Sequence, residues 1–342
     1  MVLLKIFVSD RRSTMKVLVT GGAGYIGSTI CSALEDRGHT PVILDSLITG
    51  RIEFTKNRIF YKGDIADLAL VEKIFEEHPD IRSTVHCAAL TVVPESVADP
   101  YNYYNENVAK TNTLLKKLCE LGCKDFLFSS SASIYGDTQK QEVTESDPLN
   151  PQSPYAATKY MCELIMRDFS VAYGARAIVF RYFNVVGADP SMRTGPYKDA
   201  PTLLLPRLIL HDKGLGQFKL TGVNWPTRDG TGVRDYVHVW DIAMAHALAV
   251  ERFDTVCADA PFQAINLGSG SGVTVREFIR DFEAVVGHKL DIEETDPRPG
   301  DVAGAFTKID KAQSLLGWKP TLSIQSAISD NLKWYDIYNA NK

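Results

Sequence analysis

Three groups of residues in this sequence could do chemistry together. The first is Tyr155 and Lys159, in Ser153-Pro154-Tyr155-Ala156-Ala157-Thr158-Lys159. Ser153 suits a helix N-cap and Pro154 the first helical position. Residues four apart on a helix lie on one face, a turn from each other. An ammonium near a phenol favours the phenolate, so Tyr155 is a candidate general base near neutral pH. The second is the hydroxyl-rich run Ser129-Ser130-Ser131-Ala132-Ser133, directly after the apolar Phe126-Leu127-Phe128. At a strand end, one such hydroxyl can stand beside a substrate hydroxyl or carbonyl. The third is Val17-Leu18-Val19-Thr20-Gly21-Gly22-Ala23-Gly24-Tyr25-Ile26-Gly27. Its glycines satisfy G-x-x-G-x-x-G (21, 24, 27) and G-x-G-x-x-G (22, 24, 27). Such a turn lets a pyrophosphate approach bare backbone, and the helix it opens offers free N–H groups to the anion. Each group alone is ordinary: a solvated helix face, a set of turn serines, a tight turn. Together they point to a hydride-transfer site.

An acid follows at the expected distance. Asp45 closes the second strand, and its carboxylate can accept hydrogen bonds from a ribose diol while repelling a 2′-phosphate. This favours NAD over NADP. Asp64, in Gly63-Asp64-Ile65, could reach an adenine edge, although Gly-Asp is also a common turn.

The elements that must position these residues are legible as a strand–helix alternation from Lys16 onward. Lys16–Thr20, Thr40–Leu44, Ile59–Gly63, Thr84–Cys87, Asp125–Ser129 and Ala177–Phe180 read as buried strands. Helical segments at Ser28–Arg37, 67–77, 106–121 and 154–173 separate them. The apolar stripe of the last is expected at Ala157, Met161, Leu164 and Ile165, with Tyr155 and Lys159 off it. Repeated strand–helix units predict an α/β fold, a doubly wound parallel sheet of Rossmann type with a smaller C-terminal lobe. From about 185 to 230 the pattern is irregular and rich in Pro, Gly and Thr. Val233–Val239 is strand-like again, and a helix follows from Asp241 to Glu251. A strand at Gln263–Leu267, a helix near 274–286 and an amphipathic helix near 323–338 complete the chain. The expected division is a 1–14 extension, a cofactor domain at 15–185 to which 233–252 returns, and a substrate lobe of 186–232 and 253–342.

The composition sets the outer limits. At 342 residues the chain is long enough for about two domains and a large core without disulfides or metals. Its net charge of −5 argues against a sequence-independent grip on nucleic acid. Cysteines 31, 87, 119, 123, 162 and 257 form no CxxC pair, which suits a reducing compartment and gives no metal site. No apolar run reaches the roughly 18 residues of a membrane span. The expectation is a soluble, cytoplasmic protein. His86 and His238 are read as structural, and the four tryptophans as packing residues.

These motifs resemble the extended short-chain dehydrogenase/reductase family, and within it the nucleotide-sugar 4-epimerases. The resemblance runs from Met15 nearly to the end. It rests on Val-Thr-Gly-Gly-Ala-Gly-Tyr-Ile-Gly at 19–27, Ser-Ser-Ser-Ala-Ser-Ile-Tyr-Gly at 129–136, Pro-Gln-Ser-Pro-Tyr at 151–155, Arg-Tyr-Phe-Asn at 181–184 and Asp-Gly-Thr-Gly-Val-Arg-Asp-Tyr-Val-His-Val at 229–239. It implies NAD-dependent, reversible C4 epimerisation of a UDP-hexose by a homodimer. Tyr155 would be the base, Lys159 would bind the nicotinamide ribose, and Ser131 would hold the sugar 4-hydroxyl. Gly21, Gly24, Tyr25, Ile26, Gly27, Asp45, Asp64, Ile65, Cys87, Ala88, Ala89, Thr91, Asn107 and Phe183 would line the NAD site. Asn184, Leu203, Arg234, Arg298, Asp301 and Ala305 would meet the substrate. The chain also departs from the pattern: Thr91 stands where these epimerases usually carry a lysine, and Thr221 where a phenylalanine meets uracil. At Ala305 a small residue leaves room for a 2-acetamido group. Ser131-Ala132-Ser133 lacks the two carboxyls of the dehydratase relatives. The resemblance therefore leaves open another UDP sugar, such as UDP-N-acetylglucosamine, and a non-catalytic NAD-binding regulator.

Overall fold

The computed structural model describes residues 14–138, 140–197, 203–297 and 303–340. Arg298, Asp301 and nearly all of the 1–14 extension lie outside the described residues.

Seven strands form one sheet: β1 (Lys16–Thr20), β2 (Thr40–Asp45), β3 (Ile59–Lys62), β4 (Ile81–His86), β5 (Asp125–Ser131), β6 (Arg176–Tyr182) and β7 (Phe262–Leu267). Their order across the sheet is β7-β6-β5-β4-β1-β2-β3. Every pairing is parallel. The strand order reverses between β1 and β4, and a crevice at their carboxyl ends is where such sheets bind ligands.

The period of two along each strand splits the core into two layers. Val17 and Val19 of β1 pack on Ile30 and Leu34 of α1 (Tyr25–Asp36). Leu18 points the other way, onto Val71 and Ile74 of α2 (Leu68–Glu77) and Leu114 and Leu118 of α3 (Lys110–Glu120). On that second side α4 (Pro154–Tyr173) contributes Cys162 and Met166. Four shorter helices, at Val93–Ala98, Pro100–Tyr104, Phe253–Val256 and Asp310–Leu316, are not foreseen in the sequence.

The irregular stretch contains α5 (Leu204–Asp212). Its proline, Pro206, obscures the Leu205/Leu208/Ile209 periodicity, yet it sits in the first turn, where no intrahelical N–H is lost. Val233–Val239 is not one strand. Val233–Arg234 pairs antiparallel with Val273–Thr274, and Tyr236–His238 pairs parallel with Asn184–Val186, outside the main sheet. The break falls at Asp235, whose buried carboxylate accepts hydrogen bonds from the N–H groups of Ser269, Gly270 and Thr307. His238 accepts from the Trp240 N–H and so caps α6 (Val239–Glu251). Apolar almost all round, α6 is buried against α1 in the first core, as that composition requires.

A separate apolar cluster joins Leu205 and Leu208 of α5, Phe278 and Phe282 of α7 (Val275–Val286), and Ala327 and Ile328 of α8 (Ile324–Ala340). It forms the smaller lobe. Among the described residues no helix is long and apolar enough to cross a membrane.

Two buried histidines tie this fold to pH. His86, at the end of β4, lies 2.6 Å from Thr20 Oγ1 and 2.8 Å from Thr111 Oγ1. His246 of α6 lies 2.6 Å from the Tyr182 hydroxyl and 2.9 Å from the Ile242 carbonyl. Burial pushes His86 down to about 3 and His246 down to about 4. Unfolded, both titrate near 6.5. Between those values the unfolded chain holds protons that the fold refuses. Stability is therefore fully present above about pH 6.5 and falls with pH, by up to about 1.4 kcal/mol per pH unit per histidine. Urea midpoints from pH 7.5 to 4.5 should show this slope, and His246→Gln should remove about one proton's share. An unchanged slope in that variant refutes the assignment.

Candidate active site

The glycine turn leaves β1 and enters α1. Gly21 has φ +71°, and a Cβ there would stand 2.6 Å from the Ala88 nitrogen. A Cβ at Gly27 would come within 2.2 Å of the Gly21 carbonyl oxygen, so helix and turn approach too closely for any side chain. Gly24 is the N-cap of α1, with no side-chain cap. The helix therefore presents bare N–H groups at the crevice. Tyr25 directs its hydroxyl to the Gly187 carbonyl, 2.5 Å. Ile26 packs into the first core.

Asp45 is 8% exposed and accepts from the N–H groups of Ala23, 3.0 Å, and Leu47, 2.8 Å. Burial raises its carboxyl above the ordinary value, and those two hydrogen bonds oppose the shift. The bond to Ala23 fixes the carboxylate against the glycine turn. Asp64 accepts from the Ala66 N–H and is paired with Lys110 at 2.6 Å, a partner the sequence did not suggest. Ile65 is buried beneath it.

Across the turn, Cys87, Ala88 and Ala89 extend β4. The Cys87 thiol accepts from the Ser129 hydroxyl at 3.1 Å and is pushed up to about 11, chiefly by burial. Thr91 is exposed. Asn107 is buried and fully engaged: its amide accepts from the Leu90 N–H and donates to the Leu90 carbonyl and Thr158 hydroxyl. It holds the 87–91 loop against α4, and acts on the crevice through that loop.

Ser131 ends β5, and its hydroxyl oxygen accepts from the Ser133 N–H. The Ser131 side chain stands beside the Tyr155 phenol and opposes the rise that burial imposes there. Lys159 is 3% exposed and donates to the Ser129 carbonyl at 2.8 Å. Its Nζ lies 4.8 Å from the Phe128 ring centroid and 5.9 Å from that of Tyr155. Burial pushes this ammonium down to about 8.

Two expectations need correction here. The buried face of α4 carries Ala156, Lys159, Cys162, Glu163 and Met166, whereas Met161 is 40% exposed. Lys159 thus lies on the inward face, held there despite the cost of burying a cation. The phenol is also raised rather than lowered, because burial dominates and the ammonium is directed to the Ser129 carbonyl.

Behind these groups lies a buried network with one member, Glu163, outside the quoted motifs. Arg181 donates from Nε and Nη2 to Glu163, at 3.1 and 2.7 Å, and from Nη1 to the Tyr135 hydroxyl. Glu163 also accepts from the Ser130 hydroxyl. Glu163 stands four residues after Lys159, so helical spacing alone could have put it on the same face.

The substrate-side candidates are less gathered. Phe183 and Ala305 share a small cluster with Ala132 and Tyr135, next to Ser131. Arg234 donates to the Val233 carbonyl at 2.7 Å and packs so tightly on Gly304 that a Cβ there would stand 2.0 Å from its Nη1. Asn184 is exposed, with its N–H bonded to the Asp235 carbonyl. Leu203 is exposed at the N-cap of α5.

The residues present fit a dinucleotide. The glycine cradle excludes side chains, α1 opens onto it, Asp45 adjoins it, and Arg51 holds a buried Nε without a hydrogen-bond partner beside it. Among the described residues there is no cluster that could hold a metal ion.

Residues 17–268 match the model of the NAD dependent epimerase/dehydratase family. A UDP-glucose 4-epimerase of Rhizobium meliloti is 38% identical over 326 residues, covering 94% of this chain and 98% of that protein. A crystal structure of UDP-glucose-4-epimerase from Stenotrophomonas maltophila, with bound NAD and formylated UDP-arabinopyranose, superposes with a TM-score of 0.91 at 34% identity, covering 96% of this chain and 100% of that one. The Bifidobacterium longum UDP-glucose 4-epimerase in complex with NAD+ and UDP gives a TM-score of 0.88 at 34% identity, with coverage of 96% and 100%. With the family pattern matched over most of the sequence and full-length relatives above 30% identity, this chain belongs to the NAD-dependent epimerase/dehydratases, in the extended short-chain dehydrogenase/reductase branch.

Proposed function

We propose that this protein inverts C4 of a UDP-hexose reversibly, interconverting UDP-glucose and UDP-galactose with NAD as resident cofactor. The observation that carries this reading is the gathering of Ser131 and the Tyr155 phenol at the end of β5, with Lys159 buried behind them on the Ser129 carbonyl and the glycine turn beside them across Cys87. The names of the relatives and their bound NAD support it.

Gly21, Gly24, Gly27 and the open start of α1 would take the cofactor's pyrophosphate, Asp45 its adenosine ribose, and Lys159 its nicotinamide ribose. Bound in its oxidised form, NAD supplies a hydride acceptor, the source of the same hydride on return, and a positive charge that draws the nearby phenol down. Tyr155 then removes the proton of the sugar 4-hydroxyl and later restores it. Ser131 donates to the same oxygen and holds it at the phenol. Lys159, charged below about pH 8, keeps the pocket cationic while the phenolate exists. Asn184, Leu203, Arg234, Arg298 and Asp301 would grip the UDP part while the 4-keto sugar turns over. Incubation with UDP-glucose or UDP-galactose, followed by NMR of the C4 configuration, tests the reading. Conversion in both directions supports it and excludes a non-catalytic NAD-binding regulator; no turnover of any UDP sugar overturns it.

A second substrate reading has its own observation. Ala305 packs on the same small cluster as Phe183 and Ala132, next to Ser131, and a methyl there leaves room for a 2-acetamido group. UDP-N-acetylglucosamine belongs in the same panel. The protein also reads as a homodimer, since Val97, Tyr101 and Met161 are exposed apolar side chains on three neighbouring helices; sedimentation equilibrium distinguishes dimer from monomer. Six free cysteines support a cytoplasmic site.

A further inference from the structure

Two residues outside every quoted motif meet at the glycine turn. Arg51 follows a loop folded back on the turn, with its N–H bonded to the Ala23 carbonyl at 2.8 Å. Tyr197 ends a strap, residues 187–197, that runs along α1. The strap is fastened by Tyr25 to the Gly187 carbonyl, by Thr29 to Thr194 at 2.9 Å, and by Arg193 to Asp36 at 2.7 Å. Trp334 of α8 donates to the Pro196 carbonyl at 2.7 Å and holds the far end.

The geometry places the Tyr197 phenol at the start of α1, with the Arg51 guanidinium beside its ring. The Tyr197 ring stands edge-on to Phe54, 5.5 Å between centroids, and the Arg51 guanidinium lies 5.2 Å from the ring centre. The phenol oxygen is 3.9 Å from where a Cβ of Gly24 would be. It faces the Tyr25 N–H and the Thr49 hydroxyl. Arg51 reaches the Tyr197 carbonyl through Nη2 at 3.4 Å, but its Nε is buried with no hydrogen-bond partner. A buried donor left unmade is costly, and an anionic oxygen is the acceptor that best relieves a guanidinium.

We propose that Arg51 and Tyr197 form a clamp on the pyrophosphate of the bound dinucleotide, closing over the N-terminus of α1. The clamp rests on the NAD reading above and deepens it. Arg51 supplies the cation and the unsatisfied Nε–H. The phenol can accept from the Tyr25 N–H and donate its own proton to a phosphate oxygen at once. Such a clamp serves an enzyme that regains its hydride in each cycle, because the cofactor has no need to leave.

The test uses the protein with NAD bound. Release is followed by exchange against fluorescent etheno-NAD, and displacement of etheno-NAD by ADP and by adenosine is measured separately. Arg51→Met should speed release about tenfold or more, the scale of one charge-assisted hydrogen bond. Tyr197→Phe, which keeps the ring, should speed it several-fold. In Arg51→Met the advantage of ADP over adenosine should shrink about tenfold, with adenosine itself unchanged. Unchanged release in both variants overturns the clamp. So does an equal loss for ADP and adenosine, which would make Arg51 a loop-packing residue. A wild-type protein that carries no NAD and takes up no etheno-NAD overturns the cofactor reading itself.

Discussion

Tyr155→Phe is expected to lower epimerase turnover by about 10²- to 10⁴-fold, the range for loss of a general acid–base group, with NAD retained. The substitution removes one oxygen and leaves the ring, and the ring is what packs near Lys159, whose Nζ is 5.9 Å from its centroid. Lys159 keeps its bond to the Ser129 carbonyl and Ser131 its N-cap bond to Ser133, so the crevice walls stay in place. What disappears is the phenol oxygen proposed to take the substrate's proton. KM should move little, because a phenol contributes more to the transition state than to ground-state binding. Steady-state kinetics with the NAD content of each preparation measured alongside decides the matter. Turnover within threefold of wild type would remove Tyr155 from its role, and Ser131 and Lys159 would lose their reason for being gathered there.

Glu163→Ala should destabilise the fold by about 3–5 kcal/mol, the cost of stranding a buried charge. Arg181 and Glu163 are 5% and 3% exposed at their side chains. With the carboxylate gone, the guanidinium keeps only the Tyr135 hydroxyl and the Glu145 carbonyl. Against a total stability of about 5–15 kcal/mol, such a loss is a large fraction. Glu163→Gln keeps acceptors for Ser130 and one Arg181 N–H, and should cost roughly half as much. Urea unfolding of the three proteins at pH 7 measures both values. A loss below about 1 kcal/mol for the alanine variant would show that water or a neighbouring acid takes over. The position matters beyond stability, since Ser130 precedes Ser131 and Glu163 lies a turn from Lys159. Glu163 therefore ties α4, which carries Tyr155 and Lys159, to β5 through Ser130 and to β6 through Arg181.

The parts of this molecule with strong local patterns could be read from the chain alone. Val17 to Gly27 announces strand, turn and helix because the apolar run, the glycine spacing and the following period are all local. The order of the sheet follows from chain alternation plus the reversal at β1 and β4. The orientation of α4 could not be read in the same way. Its apolar residues, Met161 and Ile165, suggested one face, but the inward face is decided by Arg181, sixteen positions past Ile165 on another strand. Asp235 likewise looked like one residue of a strand, and only Ser269, Gly270 and Thr307 reveal it as a capping acid. Arg51 and Tyr197 carry no motif; nothing but their meeting at Gly24 marks them. Sequence periodicity reports what a residue does for its own element, and these residues act between elements.

The path of the chain has one more consequence. Helix α6 completes the core under β1, yet it follows the whole of α5 and the strand that pairs with Asn184–Val186. β7, later still, completes the edge of the main sheet. No single cut yields two fragments that each retain a finished interior, so a single-crossover exchange with a foreign sequence should leave the first core and the main sheet incomplete.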